Sequence, residues 1–142
     1  MKFIHTADWH LGKLFYGNYL TEEQEWLLEH QFIPLVDEEK PDVILLSGDV
    51  YDRSVPPAEA VDLFNHVISE ICGRRHIPMV VISGNHDSAE RLSFASDLLR
   101  AQGLYMCGEL MSTTQPIVLS DPWGEVYFVP LPYADPGVIR HL

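Results

Sequence analysis

Three short polar stretches of this 142-residue chain carry side chains that hold metals and move protons: Asp8-Trp9-His10, Gly48-Asp49-Val50-Tyr51-Asp52, and Gly84-Asn85-His86-Asp87. Asp8 and His10 are two residues apart, so in an extended segment they point to one side and can grip one ion. Gly48 lets the backbone turn sharply before Asp49, whose two oxygens can bridge two cations. Asn85 adds a neutral oxygen. Mixed oxygen and nitrogen donors suit Mn²⁺, Fe²⁺ or Zn²⁺ better than a thiolate-loving ion. Two cations ~3.5–4 Å apart would activate a water and steady both oxygens of an in-line displacement at phosphorus. His86 is placed to protonate the leaving oxygen. Asp52 or Asp87 can hold its ring in the right tautomer.

Taken singly, each stretch has an ordinary explanation. Asp-x-His is a loop aspartate in a capping role, Gly-Asp-x-x-Asp is a turn with a helix cap, and Asn-His-Asp is Asn85 in a turn with Asp87 as the N-cap of the next helix. The elements before them change the weighing. Apolar runs at 2–6, 42–47 (DVILLS) and 78–83 (PMVVIS) read as strands, the last covered on both faces. Each of the three polar stretches follows one of these strands.

Between the strands the spacing predicts helices. A long one covers Thr21 to about Glu39, with Thr21 and Gln24 as a capping box and Leu28, Phe32, Leu35 and Val36 on one face. Pro34 should kink or interrupt it. A second runs from Pro56-Pro57 to Gly73, with Val61, Phe64, Val67, Ile68 and Ile71 inward. A third spans about Ser88 to Gln102, with Leu92, Ala95, Leu98 and Leu99 inward and Gly103 as its stop. A strand (LYMC) and a hairpin (PIVLS, DPWG, EVYFVP) follow. This order predicts an α/β layered domain with a largely parallel sheet flanked by helices. In such sheets chemistry collects at the carboxyl ends of the strands, where all three polar stretches fall.

Composition bounds the function. Hydrophobic residues make up 46% of the chain, enough for a packed core. No stretch is long and apolar enough for a membrane span. Cys72 and Cys107 are far apart and outside any metal spacing, which fits reduced thiols in the cytoplasm. Nine basic residues against 21 acidic ones give a formal net charge of −12. A chain this acidic repels a phosphate backbone unless cations or a basic partner intervene. Lys13, Arg53 and Arg91 each follow one of the stretches and are candidates for phosphate contact.

Asp-x-His, Gly-Asp-x-x-Asp and Gly-Asn-His-Asp in this order resemble the signature of the calcineurin-like metallophosphoesterases. HTADWHLGK, LLSGDVYDRSVPP and ISGNHDSAERL are similar, within that superfamily, to the SbcD-type exonuclease subunits of bacterial double-strand-break repair, and the likeness runs along essentially the whole chain. The resemblance implies that Asp8, His10 and Asp49 hold a first metal, with Asp49 bridging, and that Asn85 ligates a second. It makes His86 the catalytic histidine and Asp52 the carboxylate that orients it. It also implies Mn²⁺ as cofactor (Mg²⁺, Fe²⁺ or Zn²⁺ being alternatives), DNA as substrate, a homodimer, and an SbcC-type SMC-like ATPase as partner. The chain has no Gly-x-x-x-x-Gly-Lys-Ser/Thr loop, so ATP hydrolysis falls to that partner.

The family pattern continues with an isolated histidine and a Gly-His-x-His, which this sequence lacks. His5, His30, His66 and His76 read as ordinary residues, and His141 comes too late to be a supported ligand. The expectation is that residues 1–142 form the N-terminal part of a nuclease domain. The remaining ligands and the partner-binding region would then lie beyond Leu142, and the chain alone would be weakly active. Alternatives are another metallophosphoesterase, either a phosphatase or a cyclic-nucleotide phosphodiesterase, or an inert dimerisation or docking fragment.

Overall fold

The computed structural model describes residues 1–110 and 114–140, without the side chain of Val138; His141 lies outside the described residues. Strand β1 is Phe3–Thr6. A two-rung hairpin, β2 (Leu14–Phe15) and β3 (Asn18–Tyr19), follows it. Then come helices α1 (Thr21–Leu27) and α2 (Ile33–Glu39), strand β4 (Val43–Ser47), helix α3 (Ala58–Ile68) and strand β5 (Met79–Ile82). Short helices α4 (Ala89–Leu92) and α5 (Ser96–Arg100) lead to β6 (Leu104–Cys107). The hairpin β7 (Ile117–Asp121) and β8 (Gly124–Phe128) and helix α6 (Pro136–Ile139) complete the order.

β1, β4, β5 and β6 pair in that order as a parallel sheet. The layered α/β architecture expected from the sequence is therefore present. Strand periodicity divides the core in two. Ile44, Leu46, Met79, Val81 and Leu104 face the helices, where Val36, Phe64, Val67 and Ile71 meet them. Val43 and Val80 face the other side, against Ile117 of the hairpin. His5 is exposed at the edge strand, its Nε2 2.9 Å from Ser47 Oγ.

The helices depart from the expected pattern in three places. The first helix is interrupted just before Pro34, which stands in the first turn of α2. A π-helical turn, Leu28–Phe32, joins α1 to α2, with the Ile33 N–H reaching back to Leu28 O. One extra residue per turn rotates the following face by about 100°. Ile33 and Val36 are thereby buried, while Leu35, expected inward, is 43% exposed. In α3 the inward stripe runs through Ala60, Leu63, Phe64 and Val67, leaving Val61 outside. Ala60 faces Gly12, where any Cβ would come within 2.9 Å of it, so α3 seats directly on the loop after β1. The third helix is two pieces, broken at Ala95 with φ +56°, and Leu98 is 77% exposed.

Arg75 fastens α2 to the end of the α3 arm, a π-helical segment at Ser69–Arg74. Its Nε and Nη2 donate to the two oxygens of Asp37 at 2.7 and 2.9 Å, and Nη1 donates to Glu70 Oε2 at 2.9 Å. These hydrogen bonds hold both carboxyls below their ordinary range. A depressed folded pKa gives stability that is present above the unfolded pKa and lost as pH falls through the folded one. Arg75→Met should therefore lower the thermal midpoint most near neutrality. The gap from the wild type should close as the pH drops below about 4, the ordinary carboxylate range. Melting curves at pH 7 and pH 3 check this.

Candidate metal centre

The carboxyl ends of β1, β4 and β5 are neighbours, so the loops leaving them run side by side. The Asp8 N–H donates to Gly48 O at 3.0 Å, that of His10 to Asp49 O at 2.9 Å, and that of Leu11 to Val50 O at 2.9 Å. On the other side the Gly48 N–H reaches Ile82 O at 3.1 Å. The loop after β1 is not extended, contrary to the reading of its sequence. Asp8 and His10 have φ of +56° and +46°, and Asp49 has +48°. Left-handed non-glycine residues cost about 1–3 kcal/mol each and persist only where their surroundings fix them. Three of them, all carrying donor side chains, meet at this sheet edge.

The side chains converge. His10 Nε2 lies 3.7 Å from Asp49 Oδ2 and 4.0 Å from Asp8 Oδ1. These separations are too long for hydrogen bonds. They suit two donors of one cation, whose ligands at about 2.1 Å from the ion sit roughly 3–4.2 Å apart. His86 joins them: donor atoms of His10, Asp49 and His86 all lie within 4.8 Å of one another. The two imidazoles meet edge to face at 4.9 Å. Asp49 is buried, and its Oδ1 accepts the His86 N–H at 2.9 Å while Oδ2 faces His10. Asn85 is exposed one residue before His86.

Asp52 does not sit where the sequence reading put it. Its main-chain carbonyl, not its carboxylate, holds His86, at 2.9 Å from Nδ1. The carboxylate lies 3.4 Å from His10 Nδ1 and 3.3 Å from Lys13 Nζ. His10 Nδ1 is buried and makes no hydrogen bond among the described residues, although the Asp52 carboxylate stands beside it. Both histidines thus turn Nδ1 toward Asp52 and Nε2 away from it. A proton kept on Nδ1 leaves Nε2 of His10 free for a metal and Nε2 of His86 free to exchange a proton.

Asp87 was read as a helix cap, but Ser88 is the N-cap, its Oγ accepting the Arg91 N–H. The Asp87 carboxylate instead accepts three N–H groups: Val50 at 3.1 Å, Tyr51 at 2.9 Å and Gly84 at 2.9 Å. It ties the second polar stretch to the third. Burial, and then the charge of Asp87, push the Tyr51 phenol up to about 12. Of the candidate phosphate contacts, Lys13 pairs with Asp52, and Arg53 lies 6.0 Å above the Tyr19 ring. Arg91 is exposed in a cleft lined by Tyr51, Val55, Ser88 and Phe94.

One participant escaped the sequence reading. Gln24, taken as half of a capping box, caps nothing, since Leu20 is the N-cap and no side chain bonds there. Its amide reaches the loop after β1 instead. A glutamine three residues after a threonine gives no sign of this.

A divalent cation fits the residues present. A buried His10 Nδ1 without a hydrogen-bond partner among the described residues, with the Asp52 carboxylate 3.4 Å away, is the setting of a histidine whose other nitrogen binds a metal. The hard oxygen and imidazole donor set excludes thiolate-seeking ions. Among the described residues no helix is long and apolar enough to cross a membrane. The calcineurin-like phosphoesterase family matches residues 1–138. The chain therefore belongs to the calcineurin-like phosphoesterases, hydrolases of phosphoesters that work with divalent metals.

Proposed function

We propose that this chain carries the metal centre of an SbcD-type nuclease, which hydrolyses DNA phosphodiesters with Mn²⁺ in the cytoplasm. In this reading it acts as a homodimer with an SbcC-type SMC-like ATPase, in DNA repair. What supports the nuclease over its relatives is the sequence around the three stretches, HTADWHLGK, LLSGDVYDRSVPP and ISGNHDSAERL. The observation that carries the chemistry is His86, fixed through Nδ1 on the Asp52 carbonyl beside the His10–Asp49 pair.

Cations held by Asp8, His10, Asp49 and Asn85 would supply the charge neutralisation at phosphorus and the acidified water that phosphoester hydrolysis needs. The chain's own part is to hold those donors and to deliver a proton. In protonated His86, Nδ1–H stays on the Asp52 carbonyl and Nε2–H faces the site, where it can pass to the leaving oxygen. The Asp49 oxygen that accepts the His86 N–H fixes the depth of the ring. A phosphomonoesterase is the second reading, favoured by the acid excess of 21 against nine, which opposes binding of a long polyanion.

Rates on linear duplex DNA and on a phosphomonoester, both with Mn²⁺, separate the two. The nuclease reading expects preference for DNA; a preference for the monoester overturns it. His86→Gln should lower kcat about 10²–10⁴-fold and leave Mn²⁺ affinity within about threefold. A parallel loss of affinity would make His86 a ligand rather than the proton donor.

A further inference from the structure

Gln24 lies on α1, outside all three polar stretches, yet its side chain is wholly engaged by the loop that carries Asp8 and His10. Oε1 accepts the Gly12 N–H at 3.0 Å, and Nε2 donates to Trp9 O at 3.0 Å and His10 O at 2.9 Å. Both amide protons are used, and they grip the carbonyls on either side of the His10 nitrogen. The start of α1 is tied back to the same loop, because the Leu20 N–H donates to Lys13 O and the Gln24 N–H to Leu20 O, both at 2.9 Å. Loop, helix start and Gln24 form a closed circuit of hydrogen bonds.

The circuit has something to hold. His10 sits at φ +46° and Gly12 at +77°. The hydrogen bonds to Asp49 and Val50 secure the N–H side of this turn, and on its carbonyl side the Lys13 N–H reaches His10 O and the Asp52 N–H reaches Leu11 O, both at 3.1 Å. The Trp9 indole secures the turn from another direction, donating to Thr6 Oγ1 at 2.9 Å and packing on Phe32 and Phe64. Nothing in those contacts fixes the Trp9 carbonyl; Gln24 does. A left-handed histidine released from such constraints relaxes toward negative φ, which swings the imidazole away from Asp49.

We infer that Gln24 is a positioning residue for His10, holding its backbone left-handed so that Nε2 faces Asp8 and Asp49. The inference deepens the metal-centre reading and rests on it in one respect, that His10 is a ligand. The grip on the backbone stands apart from that.

Wild type, Gln24→Leu, Gln24→Glu and Glu23→Gln are compared by NMR without metal and then by EPR-monitored Mn²⁺ titration. Leucine removes all three hydrogen bonds. Glutamate keeps an acceptor for Gly12 but turns an oxygen against the carbonyls of Trp9 and His10. Expected in metal-free protein are displaced His10 backbone and ring resonances in both Gln24 variants. Gly12 amide exchange should accelerate at least about tenfold in Gln24→Leu alone. Mn²⁺ affinity should fall about 10–100-fold in both, while Glu23→Gln, one residue away on the same helix, matches the wild type. Unchanged His10 resonances and Mn²⁺ affinity in both Gln24 variants overturn the inference, as does an equal loss in Glu23→Gln. If the wild type takes up no Mn²⁺, it is the metal-centre reading that fails, and the metal-free His10 resonances decide the role of Gln24 alone.

Discussion

Gly84→Ala is expected to leave the chain folded and to cut Mn²⁺ affinity and phosphoester hydrolysis by at least about 100-fold, since misplacing a reacting group by 1 Å costs on that order. The cause is space. A Cβ on Gly84 would lie 2.1 Å from Asp49 Oδ1, 2.4 Å from Asp49 N and 2.7 Å from its Cγ. A carboxylate could swing aside, but the backbone nitrogen cannot. The Gly48–Asp49 segment is hydrogen-bonded to the loop after β1 on one side and to Ile82 on the other. Relief to ordinary contact therefore requires the loops after β4 and β5 to part by roughly 1 Å. That displaces Asp49 from His10 and breaks the His86 N–H contact to Oδ1. Backbone strain is not involved, because Gly84 is not among the glycines with positive φ. Gly73→Ala, where a Cβ would meet nothing within 4 Å, is the matched control and should bind Mn²⁺ as the wild type does. Circular dichroism with Mn²⁺ EPR on both variants reads the result. Wild-type Mn²⁺ affinity in Gly84→Ala would mean that Asp49 is not held where the structure has it.

Asp87→Ala should be the most destabilising single change among the polar residues of the site. Its carboxylate accepts from Val50, Tyr51 and Gly84, and removing it leaves three N–H groups without partners in a half-buried setting. Hydrogen bonds to a charged group contribute about 1.5–3 kcal/mol each. Three on one carboxylate are not additive, and a total of about 3–5 kcal/mol is expected. For a chain of this size that corresponds to a fall in melting temperature of about 10–15 °C. Asp87→Asn keeps one acceptor oxygen and should lose roughly half as much. Tyr51 gives a second readout. Burial is the larger cause of its raised pKa, so without the Asp87 charge the phenol should titrate lower but still above its ordinary value of about 10. A melting temperature within about 3 °C of wild type would show that the three hydrogen bonds do not join the loops.

The strands and the polar stretches after them could be read from the chain because both signals are local. Three apolar runs each end in donor residues, and the parallel sheet puts those ends together. The helices were less legible. The π turn before Pro34 rotates the helical face, so a fixed 3.6-residue spacing named Leu35 where Ile33 is buried. Ala95 breaks the third helix without a glycine or asparagine to announce it.

At the site, residue type was legible and direction was not. Asp8 and His10 converge through left-handed backbone rather than through an extended one. Asp52 meets His86 with its carbonyl and His10 with its carboxylate, a choice set by the turn of the loop. Asp87 and Gln24 looked like helix caps because capping residues and loop-binding residues are chemically the same. Only tertiary structure decides which N–H or carbonyl they reach.

An EPR-monitored Mn²⁺ titration of the chain beside Asp49→Ala decides whether the three loops form a metal centre. The approach of His10 Nε2 to Asp49 and Asp8 predicts that the wild type removes free Mn²⁺ signal at a saturable site and that the variant does not. No uptake by the wild type, or equal uptake by both, would contradict it.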